Sequence, residues 1–146
     1  MTGVTGPTGP TVTANYQSLT GGDVTATTQQ LYPLTGITSE GTAITLNPNG
    51  TLNLAPNQAY YVDFSMDARI PAGSAASANL TLDGNGVAGS GVGLNNSGST
   101  VTIVGSLAGS SIVRTGATAG TLALNVQSGP QASSFNTPTF SVFKIA

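Results

Sequence analysis

Between residues 59 and 70 the chain alternates without a break: Tyr60, Val62, Phe64, Met66, Ala68 and Ile70 interleave with Ala59, Tyr61, Asp63, Ser65, Asp67 and Arg69. A period of two puts successive side chains on opposite faces of an extended strand, so six apolar groups share one face. The run stops at Pro71, which cannot donate to a strand ladder. Nothing competes with this pattern. The helix formers Glu, Lys and Arg total four residues, Glu40, Arg69, Arg114 and Lys144, and no window keeps a 3.6-residue period.

Shorter alternating runs repeat the pattern. Ile44 and Leu46 lead into Asn47-Pro48-Asn49-Gly50, a turn with its Pro and Gly in place, and Leu52 and Leu54 follow. Ala78, Leu80 and Leu82 run into Asp83-Gly84-Asn85-Gly86, which reads as a hairpin turn at positive φ. Val101, Ile103 and Leu107 mark a further strand with Val104 on its other face. Leu122, Leu124 and Val126 mark another, and residues 24–34 a weaker one ending at Pro33. Residues 71–77 and 89–99 read as loops of small residues. About eight to ten strands with a turn every 8–12 residues predict an all-β sandwich or barrel. The final run, Phe140, Ser141, Val142, Phe143, Lys144 and Ile145, is apolar on both faces. In a domain this small, its second face is expected to meet another subunit rather than a second internal layer.

The amino-terminal end carries a different repeat. Gly3, Gly6 and Gly9 fall in phase, as Gly-Val-Thr and two Gly-Pro-Thr triplets. Glycine every third residue is required where three polyproline-II chains share an axis too narrow for a side chain. Three triplets span only about 28 Å at roughly 3.1 Å per residue, too little to hold three chains together unaided. The division is therefore a collagen-like stub over residues 1–11 and one domain over residues 12–146. That domain is expected to form a homotrimer and bring the stalk chains into register.

Composition removes several functions. Only eight of 146 residues are formally charged, with a net charge of −2, against about 25% charged in an average domain. Three cations give no footprint for nucleic acid or anionic lipid, and no apolar run approaches the 18 or so residues of a membrane span. Cysteine and histidine are absent, which removes disulfides, thiolate metal sites and the commonest general base. Asp63 and Asp67 lie about 13 Å apart on one strand face at roughly 3.3 Å per residue, wider than the about 5–9.5 Å of glycosidase carboxylate pairs. With Arg69 on the same face, a structural charge cluster is the better reading. Asp83 is the one candidate calcium ligand, yet no second carboxylate lies near it in sequence, and calcium needs six to eight oxygens. No enzyme, metal or cofactor is expected. Asn49, Asn79 and Asn95 begin Asn-x-Ser/Thr patterns of the kind chance supplies in so Asn- and Thr-rich a chain.

Taken together, GPTGPT at residues 6–11, GTAITL at 41–46, AYYVDFSM at 59–66, ANLTLDGNGV at 78–87 and SVFKIA at 141–146 resemble the BclA-like collagen-like glycoproteins of bacterial spore surfaces. That resemblance implies a terminal jelly roll of the tumour-necrosis-factor/complement kind, trimeric, at the tip of a filament in the exosporium or on a spore appendage. The targeting segment and long repeat array of such proteins are not in this sequence, so it implies a piece of a longer protein. It also implies O-glycan acceptors at Thr5, Thr8 and Thr11, and it permits adhesion to a host surface or glycan. Tyr61, Phe143 and Ile145 point away from the buried sides of their strands and are the expected trimer contacts. The alternative is a carbohydrate- or receptor-binding knob of a phage or bacterial fibre, for which Tyr16, Tyr32, Tyr60 and Tyr61 are the available ring platforms.

Overall fold

A computed structural model describes residues 14–146; the collagen-like triplets and Thr5, Thr8 and Thr11 lie outside the described residues. Thirteen strands follow one another: β1 (Tyr16–Thr20), β2 (Val24–Ala26), β3 (Gln30–Leu31), β4 (Thr35–Glu40), β5 (Ile44–Leu46), β6 (Leu52–Leu54), β7 (Ala59–Ile70), β8 (Ala75–Leu82), β9 (Asn85–Gly86), β10 (Val92–Asn95), β11 (Ile103–Arg114), β12 (Gly120–Gly129) and β13 (Ser133–Lys144). They form two antiparallel sheets. The first runs β11-β7-β13-β1-β4 with β2 also on β13; the second runs β10-β8-β12-β6-β5 with β3 on β12 and β9 on β8. From β7 onward the chain repeatedly crosses between sheets, which gives jelly-roll connectivity and one core between two layers.

The long alternating run forms β7, and all six of its apolar residues, Tyr60 to Ile70, are buried. Leu122, Leu124 and Val126 face them from the second sheet, with Leu52, Leu54, Ala78 and Leu80. Asp83 and Gly84, at φ 53° and 82°, form the two-residue turn joining β8 to β9, the left-handed pair that such hairpins need. On β11 the inward positions 105 and 109 are glycine. A Cβ on Gly105 would stand 2.6 Å from Leu94, and one on Gly109 would stand 2.9 Å from Phe64. These glycines let the sheets close together at that edge.

Three expectations need correction. Residues 24–34 are not one strand: β2 belongs to the first sheet and β3 to the second, so this segment crosses the sandwich. The strands number thirteen among the described residues, because β1 and β4 lack the apolar alternation that would reveal them. The small-residue segments are not all loop either: β8 already begins at Ala75, and β10 (Val92–Asn95), inside 89–99, pairs with it. β4 is exposed along its whole length.

The bulge in β13 decides which side chains reach the surface. Asn136 pairs with Asp67 and Thr139 with Ser65, so three steps on β13 match two on β7 and one residue is extra. Thr137, with φ 46°, lies within it. An extra residue reverses the facing of everything beyond it. Phe135 and Phe140, five apart, are therefore both buried.

Two tyrosines work in the core. Tyr32 donates its hydroxyl to the Gly22 carbonyl, with Phe135 O 3.2 Å away; Tyr60 Oη donates to Ala55 O at 3.0 Å. Burial, aided by the Asp23 carboxylate, pushes the Tyr32 phenol up to about 12. Burial raises Tyr60 as well. A phenol whose folded pKa exceeds the unfolded value of about 10 adds stability that is complete below pH 10. That stability is lost as pH climbs from 10 toward 12. Urea midpoints taken across this range should fall for the native protein and fall less steeply for Tyr32→Phe. Equal slopes would refute a buried, neutral Tyr32.

Candidate functional site

The outward face of the first sheet holds the features that the core does not explain. Antiparallel partners point to the same side, so the register reads across the sheet as rows. One row is Ile112 on β11, Tyr61 on β7, Phe143 on β13, Tyr16 on β1 and Glu40 on β4. Ile112 is 58% exposed, Phe143 44% and Tyr61 37%. The rings of Tyr16 and Phe143 lie 6.4 Å apart at 40°, within the range of aromatic pairs. Four large side chains thus form one apolar band across four strands. Ile145, also exposed, lies one residue beyond β13 and is tied there by its N–H to Ala59 O at 2.8 Å.

Below the band the face turns polar. Asp63 pairs with Ser141 and Ser110, and Asp67 with Asn136 and Ser106. Asp67 accepts from Ser106 Oγ at 3.2 Å and from Thr137 Oγ1 at 3.4 Å. Asn136 Oδ1 is the one buried side-chain polar atom without a partner among the described residues. Arg69 shares this face, as expected, but among the described residues it makes no ion pair with Asp63 or Asp67.

Charge is segregated between the two sheets. Glu40, Asp63, Asp67, Arg69 and Arg114 all stand on the outward face of the first sheet, five of the eight charged residues. The other three are Asp23, Asp83 and Lys144. No strand of the second sheet carries a charge. Its outward side holds shallow troughs of about 460 and 360 Å³, sharing Ser77, Gly93 and Gln127. No aromatic residue lines either trough. Tyr32 and Tyr60 are buried in the core, and Tyr16 and Tyr61 belong to the apolar band. Of the four rings that a glycan-binding knob could use, Tyr16 and Tyr61 are therefore the two that reach the surface, both on the first sheet.

At Asp83 the carboxylate accepts from the Thr121 N–H at 2.8 Å, which braces the hairpin against β12. Among the described residues no three acidic groups gather as they would around a metal.

The expected contacts Tyr61 and Phe143 are brought together in one row, with Ile145 beyond its end. Sequence reasoning missed Ile112 and did not join Tyr16 to the row. Their only signal was register, which appears once β11 and β1 are paired.

Neither a family model nor a curated protein sequence matches this chain. Solved structures do. It is similar to Eiger TNF from S. frugiperda, with a TM-score of 0.68 at 11% identity over 92% of this chain and 94% of that one. The fold is a TNF-like jelly roll. The PRD1 vertex protein P5 is similar at TM-score 0.56 and 13% identity, covering 92% of this chain and 99% of that one. Murine APRIL at pH 8.5 is similar at TM-score 0.61 and 7% identity, covering 89% and 99%.

Proposed function

We propose that this domain is the homotrimeric head of a collagen-stalked bacterial surface filament, aligning three stalk chains and forming the filament's tip. The observation that carries this reading is the position of the apolar band. β1 and β13 pair side by side within the first sheet, Tyr16 opposite Phe143, and Lys144 N–H bonds Asn15 O at 3.0 Å. The chain therefore enters beside the place where it ends, and the band crosses the sheet at that same end. Three copies closed about an axis along this face would bury the band at the end of the sheet where each chain enters β1. A second copy could also supply a donor for Asn136 Oδ1, whose isolation otherwise costs about 1–3 kcal/mol. Its work in this reading is assembly rather than catalysis, and a spore surface is the location that the sequence resemblance supports.

Native mass spectrometry of residues 12–146 at micromolar concentration tests the first half of the proposal, with a trimer as the expected species. A soluble monomer at that concentration would sink it. Fusing the chain to additional Gly-Pro-Thr triplets tests the second half. The triple-helical circular-dichroism transition should move to higher temperature than that of the same triplets without the head.

A further inference from the structure

Arg114 and Glu40 occupy opposite lateral edges of the same outward face, at the same end of the sheet. Arg114 is the last residue of the edge strand β11, one outward position beyond Ile112; Glu40 closes the apolar row on β4. Both are exposed, and neither has a hydrogen-bond or ion-pair partner among the described residues. They cannot meet within one copy. Four strand spacings of about 4.8 Å separate β11 from β4, about 19 Å in all, while an ion pair needs a nitrogen and an oxygen within about 4 Å.

A cyclic trimer has heterologous contacts, in which one edge of a copy meets a different edge of the next. Opposite charges at the two edges of one face are complementary under that operation alone. A cleft of about 380 Å³ lies at this edge between β11 and the β8–β9 hairpin, lined by Leu82, Asn85, Ile112 and Arg114. Asp83 lines it too, but its carboxylate is engaged by the Thr121 N–H. We propose that Arg114 of one copy pairs with Glu40 of the next at this cleft, and that the three resulting pairs fix the register in which the copies close. The proposal rests on the trimeric reading above and adds which edges meet. Apolar contact alone, between Ile112 and the Tyr16–Phe143 pair, would tolerate sliding, whereas a charge pair at the end of the row does not.

Charge reversal tests it. Glu40→Arg and Arg114→Glu each place like charges together three times per trimer. Each should raise the protomer concentration of half-dissociation, read by mass photometry or sedimentation, by about tenfold or more. Combining both changes in one chain restores opposite charges at every contact and should return that concentration to within about threefold of the native value. Lys144→Glu, at the same end of the sheet on β13, is the control for net charge. Should a reversal disturb folding by far-UV circular dichroism, Glu40→Gln and Arg114→Gln should each still weaken the trimer. Stable native trimers with no loss in the single variants, or losses matched by Lys144→Glu and not rescued by the swap, would overturn the pairing and leave the trimer standing. A native protein monomeric throughout would overturn both.

Discussion

Phe143→Asp is expected to yield a folded protein that no longer trimerises at micromolar concentration. In the isolated subunit Phe143 is 44% exposed, so an aspartate there remains in contact with water and loses little beyond its contact with Tyr16, about 0.5–1.5 kcal/mol. In the trimer the same carboxylate would be buried in an apolar band three times over with no partner, and uncompensated buried charges cost about 3–5 kcal/mol each. The asymmetry between these two states makes the substitution diagnostic. Thr139→Asp stands on the same outward face, but beside Ser65 rather than Tyr61, and should weaken assembly far less. A Phe143→Asp protein with native trimer content and melting temperature would place the contact on another surface.

Gly50→Ala should be among the most destabilising single-methyl additions in the domain. Gly50 closes the turn between β5 and β6 at φ 83°, a region that alanine enters only at a cost of roughly 1–2 kcal/mol. Space is the larger difficulty. A Cβ there would stand 2.4 Å from Leu34 N and 2.6 Å from Pro33 Cα, both backbone atoms that no rotamer change can move. Leu34 N–H also donates to Gly50 O at 3.1 Å, so relieving the clash would break the bond joining this turn to the segment after β3. A loss above about 4 kcal/mol is expected from the strain and clash together, a large share of the 5–15 kcal/mol that holds a typical domain folded. Gly84→Ala is the matched comparison: its φ is 82°, yet nothing lies within 4 Å of its added Cβ. It should pay the conformational cost alone. Chemical denaturation of both variants separates the two contributions, and equal losses would mean that the contact with Pro33 and Leu34 is readily relieved.

The parts of the fold that could be read from the chain are those where burial writes a period into sequence. β7 shows all six inward residues, β12 shows three, and the Asp83-Gly84 and Asn49-Gly50 pairs announce their turns through the φ values they require. β4 left no trace because every residue in it is exposed, so nothing selects an alternation. β1 contributes Leu19 as its one buried hydrophobic residue, too few to define a face. The site was half visible for a similar reason. Tyr61 and Phe143 could be marked as outward because their strands reveal their inward sides. Placing them in one row with Ile112 and Tyr16 requires the register of four strands, and the bulge at Thr137 shows how one inserted residue can reset that register without any hydrophobic signal.

The placement of β1 inside the first sheet, between β13 and β4, also has a mechanical consequence. β1 is hydrogen-bonded on both sides, to β13 and to β4, and the chain enters it at Tyr16. Ladder bonds between antiparallel strands lie perpendicular to the strand direction. Tension applied on the amino-terminal side of Tyr16 and directed along β1 therefore loads two rows of bonds in shear, all at once, instead of peeling them singly from a free edge. A tether attached there would grip the head by a strand held on both flanks, so that drag on the tip is resisted by many bonds sharing the force.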